Sequence, residues 1–195
     1  MEVFMLGERD DYAGYGVADE ADSDRHGFLT DRVILPKPGA PPIAFREGFG
    51  DADVNRRPKK KGDYHTGYGN IRLFSQRAVD ALGDTLTKSG DLFPVRIENR
   101  DEPFYWYWCT TIIDCIDESK TKRGPPSNLP IERRLIMTPG FHLDRIGTHE
   151  IFVVPGQSRQ FDMFITDAFR DRVAAAKLKG FKLGKGRFDP KPWIS

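Results

Sequence analysis

Cysteine is scarce in this chain: Cys109 and Cys115 are its only two among 195 residues. A disulfide scaffold of the kind that staples small secreted domains is therefore excluded. On one extended strand, at roughly 3.3 Å per residue, the two thiols would stand about 20 Å apart, beyond disulfide reach. They read as small core residues in a reducing compartment. Also missing is any apolar run of about 18 residues, the length that spans a bilayer. The opening MEVFMLGERDD lacks the basic start and apolar stretch of a secretory signal, so a cytoplasmic protein with no membrane partner is expected. Charge of one sign is lacking too. Thirty basic residues against 29 acidic leave +1, which excludes a polyanion binder built on net charge alone.

The motifs of catalysis are equally thin. Gly67-Tyr68-Gly69 and Gly184-Lys185-Gly186 are too short for a phosphate loop and lack its strand-to-helix setting. No CxxC, HExxH or GxSxG is present. Of the four histidines, His142 and His149 with Asp144 and Glu150 form the one grouping with metal-binding residue types. Their spacings match no ligand motif, and polar loop residues explain them equally well. Asp114, Asp117 and Glu118 read as a solvated strand end rather than paired catalytic carboxylates. We therefore expect no catalytic residues, no metal and no cofactor, and a protein that binds rather than reacts.

What the chain does contain is a dense apolar spine. Leu92–Glu98 and Phe104–Ile116 read as two strands joined by the turn Asn99–Pro103. In the second strand one parity carries Phe104, Trp106, Trp108, Thr110, Ile112 and Ile116, and the other carries Tyr105, Tyr107, Cys109, Thr111, Ile113 and Cys115. Both faces are largely apolar, which predicts a strand covered on both sides. Trp106 and Trp108 with Tyr105 and Tyr107 could stack nucleic-acid bases, but core packing fits their setting better.

Two helices flank further strands. Ser75 caps a helix that ends at Gly90, with Val79, Leu82 and Leu86 on one face and Phe74 against Val79 as a staple. Thr166 or Asp167 caps a second, Ala168–Lys179, with Gly180 as its stop. Short strands are predicted at Arg32–Leu35, Ile43–Phe45, Ile131–Met137, Phe141–Leu143, Glu150–Val154 and Phe161–Ile165. The order argues for an α+β fold, a mainly antiparallel mixed sheet with about two principal helices packed on it. Length allows a single domain, 1–195, with an irregular, charge-patterned region 1–70, a core 71–183 and a basic tail 184–195.

Charge is unevenly spread. Glu8–Asp24 holds seven acids against Arg9, whereas Arg56–Lys61 has five bases and no acid, and Arg170–Lys191 has eight bases against two acids. The basic segments 56–61 and 170–191 would serve a nucleic-acid-binding module, the alternative reading.

From Leu73 onward a series of short motifs follows in order. Phe74-Ser75 with Ala78-Val79 and Leu82 opens a helix. Phe93-Pro94-Val95 forms a strand, and Ile113-Asp114-Cys115-Ile116-Asp117-Glu118-Ser119 closes the aromatic one. Then come Glu150-Ile151-Phe152, Phe164–Asp167 and Leu178-Lys179-Gly180-Phe181. Over roughly residues 70–183 this resembles the bacterial immunity-protein family numbered eleven among polymorphic-toxin immunity domains. The resemblance implies a cytoplasmic, non-catalytic protein that protects its producer by binding a cognate toxin and occluding it stoichiometrically. It carries no catalytic residues over. In that setting the acidic segment, Asp10, Asp11, Asp19, Glu20, Asp22 and Asp24, becomes the candidate toxin-binding surface, able to enter a basic cleft and speed association.

Overall fold

In the computed structural model the residues described are 1–8, 12–26, 33–48, 60–67, 71–125, 134–156 and 162–185, with the backbone alone at Glu8, Glu20, Asp24 and Arg25. The first stretch, which reads as irregular, holds β1 (Val3–Glu8), β2 (Tyr15–Val17), α1 (Glu20–His26), β3 (Ile43–Glu47) and β4 (Tyr64–Thr66). The middle follows as β5 (Arg72–Ser75), α2 (Gln76–Ser89), β6 (Gly90–Ile97) and β7 (Phe104–Cys109). Beyond them lie β8 (Lys122–Arg123), β9 (Ile136–Thr138), α3 (Leu143–Ile146) and β10 (Ile151–Val153). The chain closes with β11 (Met163–Thr166), α4 (Asp167–Ala175) and β12 (Phe181–Gly184). The fold is α+β, with α2 and α4 as its two principal helices.

Two sheets carry the core. The larger runs β2-β3-β6-β7-β5-β4, antiparallel throughout except where β3 meets β6. Its outer strands then meet through parallel bridges, Tyr12↔Lys60 and Tyr15↔Gly67, so the sheet curls round on itself. Gly67 stands at this seam. A Cβ there would lie 3.3 Å from both the Phe45 ring and the Tyr15 carbonyl oxygen. The enclosed face gathers Tyr15, Ile43, Phe45, Leu73, Val95, Ile97, Phe104 and Trp106.

The four-stranded sheet, β10-β11-β1-β12, is antiparallel and joins the two ends of the chain. One of its faces meets the outer face of the larger sheet across α2 and α4. Phe4, Leu6, Phe74, Leu82, Leu86, Tyr107, Phe169 and Val173 pack together there. Its other face is covered by the chain between β7 and β10, with Met5, Phe152 and Phe164 against Cys115, Ile136 and Ile146.

The spine strand is buried on both sides, as its two apolar parities require. Tyr107 and Cys109 enter the central layer, while Phe104 and Trp106 enter the enclosed one. It is shorter than expected, ending at Cys109 rather than Ile116. The reason is its partner. Gly90, opposite Cys109, begins β6 directly after α2, so no ladder remains beyond it, and the amides of Thr110 and Thr111 both turn to the Ser89 carbonyl. The chain then crosses to β10 through an Ile112↔Val153 bridge. The cysteines therefore do not share a strand. Neither forms a disulfide and both are buried, Cys109 in the central layer and Cys115 under the outer one.

The helices follow their end signals unevenly. Ser75 caps α2 by accepting the Ala78 amide at 3.1 Å. The helix is not continuous: Gly83, at φ 37° and ψ −114°, breaks it, a conformation that glycine tolerates. Thr166 stands at the N-cap of α4 without a side-chain cap bond. That helix ends at Ala175, short of Lys179. Lys177, at φ 53°, turns the chain, and the amides of Leu178 and Lys177 close onto the Val173 and Ala174 carbonyls in a Schellman arrangement. Gly180 has another task. At φ 98° its α-carbon passes so near the Tyr64 carbonyl oxygen that a side chain would clash.

Other short strands are corrected locally. Val33–Leu35 form no strand, and Arg32 lies outside the described residues, as do 131–133 and Phe161. Phe141 makes one bridge to Ile116 before the chain turns into α3 instead of a strand. The tail segment Phe181–Gly184 is a strand, paired with β1.

Candidate functional site

Two buried polar clusters hold the ends of the sheets together. Asp63, just before β4, accepts from the Ser75 hydroxyl at 3.0 Å, from Arg77 Nη1 at 3.0 Å and from the Lys179 amide at 2.8 Å. Arg77 reaches on to the Ala176 carbonyl, 2.8 Å away. One carboxylate thus ties the start of α2 to the end of α4. Both of its oxygens accept, from three donors in all, which suits an anchor.

The second cluster lies where the β6–β7 hairpin folds over the curled sheet. His65 is fully buried, its Nδ1 2.7 Å from the Ala13 carbonyl and its Nε2 between the Gly62 amide and carbonyl at 3.1 and 3.0 Å. Arg100, with a side chain only 6% exposed, donates to the Tyr15 hydroxyl at 2.9 Å and pairs with Glu102 at 2.6 Å. Its guanidinium lies 4.6 Å from the Phe104 ring centroid. His65 is enclosed with both ring nitrogens against backbone groups, so the cluster locks the hairpin to the curled sheet. Neither residue stands out in the sequence. Ala13 is 52 residues from His65 and Arg100 is 35, and no local pattern announces pairings of that range.

Of the acidic candidates, only Asp19 and Asp22 have described side chains. Asp10 and Asp11 lie outside the described residues, and at Glu20 and Asp24 only the backbone, in α1, is described. Asp19 is exposed and caps α1 by accepting the Ala21 amide at 2.9 Å. Asp22 is half-buried. Tyr12–Gly14 and β2, which pairs with β3, intervene between Asp11 and Asp19, so the block is divided by folded chain.

The remaining candidates separate as well. Among the described residues no three His, Cys, Asp or Glu side chains gather as a metal site. In the histidine grouping, the Glu150 carboxylate belongs to Arg172, 3.0 Å away. Of the strand-end acids, Asp117 pairs with Lys120 at 2.6 Å and accepts from the Ser119 hydroxyl. These partners hold its carboxyl at about 2, below the usual 3.8. Glu118 is likewise lowered by Arg123. Burial pushes the Cys115 thiol up to about 11, with the Asp114 charge adding to it. Trp106 packs in the enclosed core, against Phe93 and Trp108. In the basic segment 170–191, Arg170 and Lys185 both lie against Glu2, at 3.5 and 3.1 Å. Lys60 and Lys61 are exposed, and residues 56–59 and 186–191 lie outside the described set.

What the geometry assembles is two sets of buried anchors, around Asp63 and around His65 with Arg100. A family model described as the immunity protein family (Imm11) matches residues 2–187. The chain belongs to the Imm11 immunity protein family. The match begins far upstream of residue 70, where the motif resemblance began, and so takes in β1 and the acidic segment. No curated protein matches the sequence. Among the described residues of this immunity-family chain, no helix is long and apolar enough to cross a membrane.

Proposed function

We propose that this chain is a non-catalytic immunity protein that binds one cognate bacterial toxin in the producing cell's cytoplasm and neutralises it by stoichiometric occlusion. The family match over residues 2–187 carries the reading. The buried titratable clusters agree with it, since Asp63 and His65 are engaged by neighbouring groups and serve to position backbone. The acidic segment with Asp10, Asp11, Asp19, Glu20, Asp22 and Asp24 remains a candidate contact, suited to a basic cleft. Co-expression with each toxin domain found in the neighbouring genes tests the proposal: with the cognate toxin cells survive, and the two proteins co-purify at one to one. Continued killing despite soluble immunity protein would refute it. Reversing the six acids should slow association, most strongly at low salt; an unchanged rate would remove that segment from the contact.

A further inference from the structure

The immunity reading leaves the two basic segments, 56–61 and 170–191, without a role. In the fold their described parts are stitched together. The amides of Asp63 and Tyr64 both donate to the Lys179 carbonyl, at 2.9 and 3.1 Å, and the Lys179 amide donates to the Asp63 carboxylate at 2.8 Å. Arg77 Nη2 donates to the Ala176 and Lys177 carbonyls at 2.8 and 3.2 Å, which fixes the turn after α4 against the start of α2. On the other side the Ala13 amide donates to the Lys60 carbonyl at 3.0 Å. The loop 60–63 and the turn 176–180 therefore form one rigid ledge, joined at residues 116 apart in the chain.

On this ledge Lys61, Lys177 and Lys179 are exposed, and none of the three enters an ion pair among the described residues. Asp63, the acid in the bonds that join the two loops, is buried and already paired with Arg77 at 3.0 Å. Among the described residues the exposed large apolar side chains are Met1, Ile34, Ile112, Leu135 and Leu143, and none belongs to either loop. Protein interfaces are poor in lysine and rely on aromatic and apolar anchors, which the ledge lacks. A membrane surface would likewise need an apolar or acyl anchor beside the charge. Phosphates need neither, because they are held by charge on a rigid support without any reading of bases. We propose that the ledge carrying Lys61, Lys177 and Lys179 binds the phosphate backbone of a nucleic acid without base specificity. This contact is separate from toxin binding, and either can fail alone.

Fluorescence anisotropy of a labelled DNA duplex of about 20 base pairs, titrated with the full chain, tests it. Binding should appear at low salt and weaken with a log–log slope of about −3, one phosphate for each lysine. Lys61→Gln with Lys177→Asn and Lys179→Gln should lower the affinity ~10-fold or more and flatten that slope. Asparagine suits the left-handed backbone at residue 177, so the melting temperature should hold; Lys61→Gln with Lys179→Gln serves if it falls. Lys37→Gln with Lys122→Gln, at exposed lysines in other segments, should leave binding unchanged, and every variant should still neutralise the toxin. No binding of the duplex at low salt overturns the proposal, as does an equal loss in the Lys37 and Lys122 variant. Binding to phosphatidylserine vesicles but not to the duplex also overturns it and assigns the ledge to a lipid surface.

Discussion

The two sheets are built from opposite kinds of sequence. The six-stranded sheet draws every strand from residues 15–109, and its central hairpin, β6 with β7, is joined by six residues. The four-stranded sheet places β1 between β11 and β12, pairing Phe4 with Ile165 and Leu6 with Leu183. Within the first, β4 with β5 and β6 with β7 are hairpins, and no strand pairing reaches further along the chain than Ile43 with Val95. Pairings within the second wait for both chain ends, which delays their entropic compensation during folding. The more local sheet carries the signal that a linear reading detects.

Removing residues 1–8 should break the comparison most severely. It takes β1 out of the middle of its sheet and strips Phe4, Leu6 and Met5 from two core layers. At roughly 1.5–3 kcal/mol for each large apolar side chain, the loss is comparable with a domain's whole stability of about 5–15 kcal/mol. Circular dichroism should show no cooperative melt. A transition near the wild-type temperature would mean that the four-stranded sheet does not depend on its central strand.

Asp63 joins the two sheets, and Asp63→Ala leaves the Ser75 hydroxyl, the Lys179 amide and Arg77 without their acceptor. Urea unfolding should report a loss of about 3 kcal/mol. Within the six-stranded sheet alone, Gly90→Ala should cost about 2 kcal/mol, because the new Cβ would press on the Trp108 carbonyl and the Tyr107 ring. Equal losses for the two variants would argue that the anchor between the sheets matters no more than one close approach inside one of them.

The smallest expected effect lies in the layer over the four-stranded sheet. The Asp117 carboxyl is lowered from 3.8 to about 2 by Lys120 first and Ser119 second. Its stabilisation is therefore present above the ordinary carboxylate range and is lost as pH falls from 3.8 toward 2. Melting temperature followed over that range should drop more steeply in wild type than in Asp117→Asn. Parallel curves would show that this ion pair contributes nothing to folding.

Much of the fold was legible, for identifiable reasons. The Ser75 cap, the Phe74–Val79 staple, both strands of the hairpin and the two-faced burial of β7 all follow from residues within a few positions of one another. β1 was not legible, because VFMLGE has no turn or partner beside it and owes its place to strands more than 150 residues away. β12 was hidden in what reads as a basic tail. The early end of β7 depends on where its partner starts, and that of α4 on Lys177 taking a left-handed turn ahead of Gly180.

The site divides in the same way. The sequence marked where charge is concentrated, but not that Glu2 sits against Arg170 and Lys185. Ile112 reads as part of the two-faced strand and becomes surface because the chain leaves the sheet at Cys109.

By itself the sequence determined the class of this protein: an α+β scaffold on an aromatic strand, resembling an immunity family. Periodicity, caps and turn residues act over a few positions, and so they survive in a linear reading. Only the tertiary structure decided which strands share a sheet, how the larger sheet closes at Tyr15 and Gly67, and which charges remain uncompensated. Those outcomes depend on groups far apart in the chain meeting within hydrogen-bond or van der Waals distance.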